Sequence, residues 1–174
     1  MKKVIIIFLI GIIKLIRYLS VLGIVVLFLG VFGVFGGGQY HNGNFALDYG
    51  NYVTDVSVLF PVVILFLAGL LMCLVYKITI HLENVLNHFR QGEFFIVTNE
   101  KSLQRVLYYL LSFTVVQLFI HFVLNYLRYD NVSDLFNLSI KDYSVNIIFI
   151  LINYIVIKVI KHGNQLQKNY DEII

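Results

Sequence analysis

The sequence predicts an all-α membrane protein: a bundle of four transmembrane helices, with both termini cytoplasmic and helices 2 and 3 extended into the cytoplasm. Three observations predict it: composition, four long apolar runs, and Lys and Arg gathered on one side. Of the 174 residues, 59% are hydrophobic and 13% are charged, whereas soluble domains average about 45–50% apolar and about 25% charged. A soluble fold of this length cannot bury so much apolar surface. We therefore expect one integral membrane domain over residues 1–174.

Four apolar runs approach the ~20 residues that a helix needs to cross ~30 Å of hydrocarbon. They cover residues 18–36, 59–76, 106–127 and 145–160. The fourth run is short, so we expect it to recruit flanking residues or to thin the bilayer locally. Pro61 falls in the first turn of the second run, where a missing N–H is least costly.

The N-terminal segment imitates a secretory signal peptide, because Lys2 and Lys3 precede an apolar run. No small-residue cleavage site follows that run, and Lys14 and Arg17 come next, so we expect the segment to be retained. Residues 4–17 are predicted to form either an amphipathic lead-in or a cytoplasmic extension of the first span.

The basic residues are distributed unevenly along the chain. Eleven of the 13 lie in the N-terminal flank, in residues 77–105, or at the end of the fourth run and in the C-terminal tail, residues 161–174. The other two connections hold only Arg128 and Lys141. Short loops rich in Lys and Arg stay in the cytoplasm. This bias predicts a multi-pass protein of the cell membrane, with both termini and residues 77–105, here called the connector, in the cytoplasm.

The connector itself has a readable pattern. Its apolar residues recur at helical spacing over residues 78–89, which predicts that the second span continues as a helix to Arg90. Gly92 is then a plausible C-terminal stop. Residues 94–96 are too few to cross the membrane, and we expect them to lie against the membrane interface or the end of the bundle. Thr98 or Asn99 is expected to cap the next helix, with Glu100 favouring the positive end of its dipole.

Two short patterns resemble a known family. Residues 92–106, GEFFIVTNEKSLQRV, resemble the G-x-x-F-x-x-x-N-x-x-x-L pattern of a bacterial membrane family, the domain of unknown function 2975 (YoaS-like) family. The end of the chain, KHGNQLQKNYDEII, is similar to that family's closing pattern, except that Asn169 replaces an acidic residue and Glu172-Ile173 replaces Leu-Thr. With the four-span layout, the resemblance covers nearly the whole chain. The matching positions are Gly92, Phe95, Asn99, Leu103 and, more loosely, Arg105, then Gly163, Leu166, Gln167, Asp171 and Ile174.

The resemblance implies four membrane helices and no assigned catalytic chemistry. The genes of that family often neighbour a small helix-turn-helix regulator, so the resemblance also implies a DNA-binding partner in the cytoplasm. This is an association and not a mechanism. We accordingly expect a membrane regulatory or sensing component that works with such a partner and does not itself bind nucleic acid.

A polar stripe runs along the third span. Thr114, Gln117, His121 and Asn125 are spaced by three, four and four residues, so they share one helix face. Polar residues inside a membrane are costly and tend to face the bundle interior. They form either a relay or small pocket with His121 as a pH-sensitive group, or interhelical hydrogen bonds with Asn153 as a candidate partner. We favour hydrogen bonding, because no acidic residue lies in any span.

Other chemical signals are weak. No H-E-x-x-H, G-x-S-x-G, Walker A or C-x-x-C motif occurs, and Cys73 is the only cysteine. His81 and His88 are seven residues apart, whereas helical metal pairs use three or four. We expect no catalytic, cofactor-binding or metal-binding residues, and hence no enzyme. The glutamates of the connector are expected to form a solvated face: Glu83, Glu93 and Glu100.

The outer connections leave alternative functions open. The first, residues 37–55, carries Tyr40, Phe45, Tyr49 and Tyr52, which suit an interfacial aromatic belt or a surface that recognises an external peptide. The latter supports an immunity protein against a membrane-active, bacteriocin-like peptide. A small transporter or channel subunit is a weaker alternative, because the spans lack intramembrane charge. The second outer connection, residues 128–144, is expected to include a short surface helix.

Overall fold

Four long helices make up most of the structure, a computed structural model that describes residues 2–37, 40–41, 44–49, 52–126 and 140–171. Each helix contains a stretch long and apolar enough to cross a membrane. They confirm the predicted helical architecture of a multi-pass membrane protein. The helices are α1 (Lys2–Gly37), α2 (Leu59–Gln91), α3 (Val97–Tyr126) and α4 (Ile140–Asp171).

The helices extend well beyond the apolar runs. Residues 4–17 continue into the first span without a break. Residues 161–171, expected to be a tail, belong to α4. With 30 to 36 residues each, and a rise of ~1.5 Å per residue, the helices are about 45–54 Å long. Since hydrocarbon is only ~30 Å thick, about a third of the shortest helix and nearly half of the longest can lie outside it.

Each helix packs chiefly on its neighbours in sequence: α1 on α2, α2 on α3, and α3 on α4. The glycines of α1 at positions 23 and 30 face α2. A β-carbon on Gly23 would lie 3.4 Å from Met72 Sδ, and one on Gly30 would lie 3.6 Å from Leu65. These two glycines therefore allow close packing within the chain.

The apolar surface is mostly exposed, as in Phe28 at 62%, Phe66 at 70% and Phe122 at 66%. Large contiguous apolar patches are rare on soluble proteins and suit contact with lipid. The buried apolar cluster of the described residues lies instead at the connector end of the bundle. It comprises Val85, Leu103, Ile157 and Ile160, against which Leu82, Phe89, Leu107 and Val156 pack.

A three-stranded antiparallel sheet connects α1 to α2 along the chain, at the end of the bundle opposite the connector. Strands β1 (Tyr40–His41), β2 (Asn44–Tyr49) and β3 (Tyr52–Val56) lie in the order β1-β2-β3. The Tyr40 hydroxyl donates to the Val34 carbonyl, and Val56 is 1% exposed, so the sheet is fastened to the end of the bundle. This sheet is not among the elements predicted from the sequence.

The second outer connection is only partly described. Residues 140–144 belong to α4. Residues 127–139, which carry the rest of the predicted surface helix, lie outside the described residues.

Candidate functional site

Helix α2 ends in a glycine turn. Gly92 has a φ of 91°, and its N–H donates to the Phe89 carbonyl at 3.1 Å, while the Glu93 N–H donates to the His88 carbonyl at 2.9 Å. This pair of bonds is a Schellman motif, in which glycine tolerates the left-handed backbone. The ring centroids of Phe94 and Phe89 lie 5.1 Å apart. Gly92 thus ends the helix as predicted, and residues 92–96 form a compact turn between α2 and α3.

Asn99 fastens this turn from inside. Its side chain is fully buried, and its Nδ2 donates to the carbonyl oxygens of Glu93 at 2.8 Å and Phe94 at 3.0 Å. With both amide hydrogens engaged, its Oδ1 accepts from His88 Nδ1 at 2.7 Å, which assigns the ring proton to Nδ1. One amide therefore ties the end of α2, the turn and the start of α3 together.

The prediction that Thr98 or Asn99 caps α3 is wrong. The helix already begins at Val97, which puts both residues in its first turn. The turn leaves two inward-facing carbonyls that need donors. Only an amide side chain supplies two N–H groups and one acceptor at that position.

Helix α4 is joined to the turn by a ring-on-backbone contact. The Phe95 ring lies so close to Gly163 that a β-carbon there would overlap three ring atoms. The next residue of α4, Asn164, donates through its Nδ2 to Glu100 Oε2 of α3 at 3.5 Å. The contacts fix the end of α4 beside the turn.

The structure brings together five of the eight principal family-motif positions. The buried Leu103 lies in the apolar cluster, and its carbonyl accepts from Asn153 Nδ2 at 3.0 Å. Leu166 and Gln167 are exposed on α4, and the Asp171 side chain lies outside the described residues. The five positions that meet at this end are Gly92, Phe95, Asn99, Leu103 and Gly163.

An open groove of about 500 Å³ lies between the turn and α4, and we call it the connector groove. Val97 and Phe95, two apolar residues of its lining, are 57% and 45% exposed. Apolar surface edged by polar groups is typical of protein interfaces. Sequence reasoning missed this groove because it did not place residues 161–171 on a helix. The lining residues are Phe95, Ile96, Val97, Glu100, Lys161, Asn164, Gln165, Gln167 and Lys168.

A charged cluster joins α1 to α2. Arg17 Nη2 donates to Glu83 Oε2 and, at 3.2 Å, to the Thr79 carbonyl, while Lys14 Nζ lies 3.6 Å from Glu83 Oε1. The Glu83 side chain is only 14% exposed. The expectation that Glu83 belongs to a solvated face is therefore wrong, because the extension of α1 brings two cations to it.

The polar stripe of α3 is partly an interhelical contact. Gln117 Oε1 accepts from Asn146 Nδ2 of α4 at 2.5 Å. The Thr114 hydroxyl donates to the Leu110 carbonyl of its own helix at 3.0 Å. The His121 ring packs edge-on against Tyr143, with centroids 6.3 Å apart.

The predicted partner of the stripe is wrong. Asn153 bonds the Leu103 carbonyl near the connector, and Asn146 takes its place beside Gln117. The Asn125 side chain lies outside the described residues. A hydrogen bond between helices therefore accounts for Gln117, and a ring contact with α4 accounts for the packing of His121.

The two connector histidines have separate surroundings. The His81 ring stacks on Tyr109, with centroids 5.8 Å apart and planes at 15°, whereas His88 bonds Asn99. Within the described part of the chain, no three His, Cys, Asp or Glu residues are grouped to hold a metal ion.

Comparison with protein-family models, curated proteins and solved structures gives no match to this chain. The resemblance to the YoaS-like family therefore stays a prediction from the motif residues.

Proposed function

We propose that this chain is a membrane-embedded regulatory or sensing component, without catalytic chemistry, that binds a cytoplasmic partner through the connector groove. The partner class we propose is a small helix-turn-helix regulator. One observation carries the proposal: the turn and α4 form an open groove whose walls are held by a buried amide and a ring-on-glycine contact. A groove with fixed walls loses little conformational entropy when a partner binds.

The proposal that the connector lies on the cytoplasmic side of the membrane rests on the distribution of charge. The connector carries Lys77, Arg90, Lys101 and Arg105, and the adjoining end of α4 adds further lysines. Such clusters are retained in the cytoplasm. A bacterial cell membrane is the setting that we propose for the whole protein.

The chemistry of the groove favours a particular partner segment. Val97 is an exposed apolar anchor, and Lys161 and Lys168 place two cations at the rim against the single carboxylate of Glu100. A few side chains that become buried near the centre of an interface supply most of its binding free energy. A segment with one apolar anchor and acidic flanks fits this arrangement.

Affinity capture from membranes tests the proposal. Proteins that co-purify with the chain are identified by mass spectrometry for Val97→Asp, for Lys168→Glu and for the control Lys101→Glu, whose side chain is exposed on α3 outside the groove. We expect a cytoplasmic DNA-binding protein with the wild type and the control, and about tenfold less of it with each groove variant. Absence of any such groove-dependent protein would overturn the proposal.

An immunity function is the second candidate, and the outer sheet favours it. The sheet has β1 and β3 at its edges, and edge strands can pair with an extended peptide. Deleting the gene and exposing cells to membrane-active peptides tests this candidate. Sensitivity that is restored by the wild type, and not by a chain lacking residues 40–56, would support it. Unchanged sensitivity would count against it.

A further inference from the structure

A second groove lies between α1 and α2, within the apolar stretches of both helices. Its volume is about 510 Å³, and its surface is almost wholly apolar. This volume falls within the ~300–1,000 Å³ of ligand pockets. Gly69 opens it, since no atom lies within 4 Å of the position that a β-carbon would take. The lining includes Ile24, Leu27, Val31, Leu65, Gly69 and Cys73.

At its connector end, the groove leads towards two basic side chains, Lys77 and Arg17. On α2, Lys77 follows Cys73 by one helical turn, or ~6 Å, and is exposed. On α1, Arg17 precedes Ile24 by two turns, or ~10 Å, on the same face. Among the described residues, Lys77 makes no ion pair. Apolar groove and basic rim are therefore continuous along both helices.

The charged cluster keeps this rim positive. Lys14 and Arg17 share the single carboxylate of Glu83, which leaves one excess positive charge. Lys77 adds a second. A lysine at the hydrocarbon boundary extends its amine towards the headgroups.

We propose that the α1–α2 groove binds an anionic phospholipid, with an acyl chain between the helices and its headgroup beside Lys77. Neither feature alone selects this ligand. An apolar groove in a bilayer accepts any acyl chain, and a basic rim attracts any anion. Their continuity selects a molecule that is apolar at one end and anionic at the other. The inference is independent of the proposed regulatory role.

Tryptophan quenching tests the proposal directly, because the chain contains no tryptophan. Phe28→Trp places a reporter at the groove, and Phe122→Trp places one on a lipid-facing position of α3. Each variant is reconstituted in vesicles containing brominated phosphatidylglycerol or brominated phosphatidylcholine. At Phe28→Trp we expect the anionic lipid to associate about fivefold more strongly, and at Phe122→Trp we expect no preference.

Two further variants separate the headgroup from the acyl chain. In the Phe28→Trp background, Lys77→Gln should abolish the preference for the anionic lipid. Gly69→Leu should reduce quenching by both lipids by filling the groove, whereas Gly33→Leu, at another open glycine outside it, should not.

The alternative occupants give different results. Equal association of both lipids at Phe28→Trp, a preference that survives Lys77→Gln, or quenching that Gly69→Leu leaves unchanged would each overturn the proposal. Exclusion of both lipids together with disulfide-linked dimers through Cys73 would overturn it in favour of a second copy of the chain.

Discussion

The ring of Phe95 packs on the backbone of Gly163, where a β-carbon would overlap the ring atoms Cγ, Cδ1 and Cε1. This contact joins two parts of the chain that are 68 positions apart. It sets the α2–α3 turn beside the end of α4 and thereby forms one wall of the connector groove. The identity of residue 163 thus controls the shape of the candidate site.

We expect Gly163→Ala to act in opposite directions depending on residue 95. With Phe95 present, we expect the overlap to cost about 2 kcal/mol, which exceeds the ~1 kcal/mol that alanine adds to a helix relative to glycine. In a Phe95→Ala background only the helix gain remains, so the same change should stabilise. The measurement is the free energy of unfolding in mixed detergent micelles. The control is Gly11→Ala, where space is open. An identical effect of Gly163→Ala in both backgrounds would refute the contact.

Replacement of Asn99 should destabilise the connector end strongly. Asn99→Ala leaves two carbonyls and one imidazole nitrogen without their partner. An unsatisfied buried polar group costs about 1–3 kcal/mol, so we expect a loss of at least ~2 kcal/mol in the free energy of unfolding. Asn84→Ala, at an exposed site of α2, should change it by less than ~0.5 kcal/mol. Equal losses for the two variants would show that Asn99 does not fasten the turn.

Removing only one member of the Arg17–Glu83 pair should lower the free energy of unfolding more than replacing both side chains together. Glu83→Gln leaves a guanidinium, 23% exposed, without its carboxylate. Since removing one partner of a buried pair costs about 3–5 kcal/mol, we expect ~2 kcal/mol for this partly exposed pair. The double variant Arg17→Met with Glu83→Leu should recover most of that loss. Additive losses in the double variant would indicate that the two side chains act separately.

The interhelical bond between Gln117 and Asn146 should be weak but measurable. Gln117→Leu and Asn146→Leu should each reduce the free energy of unfolding by ~0.6 kcal/mol, the average for such bonds in membranes. Together they should cost little more than either alone, because they remove one shared bond.

His121→Leu tests the relay interpretation separately. Partner capture unchanged by His121→Leu, at unchanged expression, would exclude His121 from function.

The end of α2 was accessible from the sequence because apolar periodicity and a glycine stop are local signals. Gly92 ends α2 as its position suggested. The role of Asn99 was not accessible, since an asparagine near a helix start can cap the helix or bond a preceding turn. Which of these occurs depends on where the carbonyls of Glu93 and Phe94 point.

The hydrogen-bond partners between helices also could not be predicted from local sequence patterns. The stripe containing Gln117 was evident, but its partner depends on the register of α4 against α3, which selects Asn146 over Asn153. The three-stranded sheet was missed because strands of two to six residues give little periodic signal. The connector groove was missed because its α4 wall was assigned to a tail.

Substituted-cysteine labelling tests the central claim, that the connector end faces the cytoplasm, most directly. In a Cys73→Ala background, Gln91→Cys marks the end of α2 and Asn44→Cys marks the outer sheet, both at exposed positions. With a membrane-impermeant maleimide on intact cells, we predict labelling of Asn44→Cys only, and labelling of Gln91→Cys after the membrane is opened. Labelling of Gln91→Cys in intact cells would contradict the account.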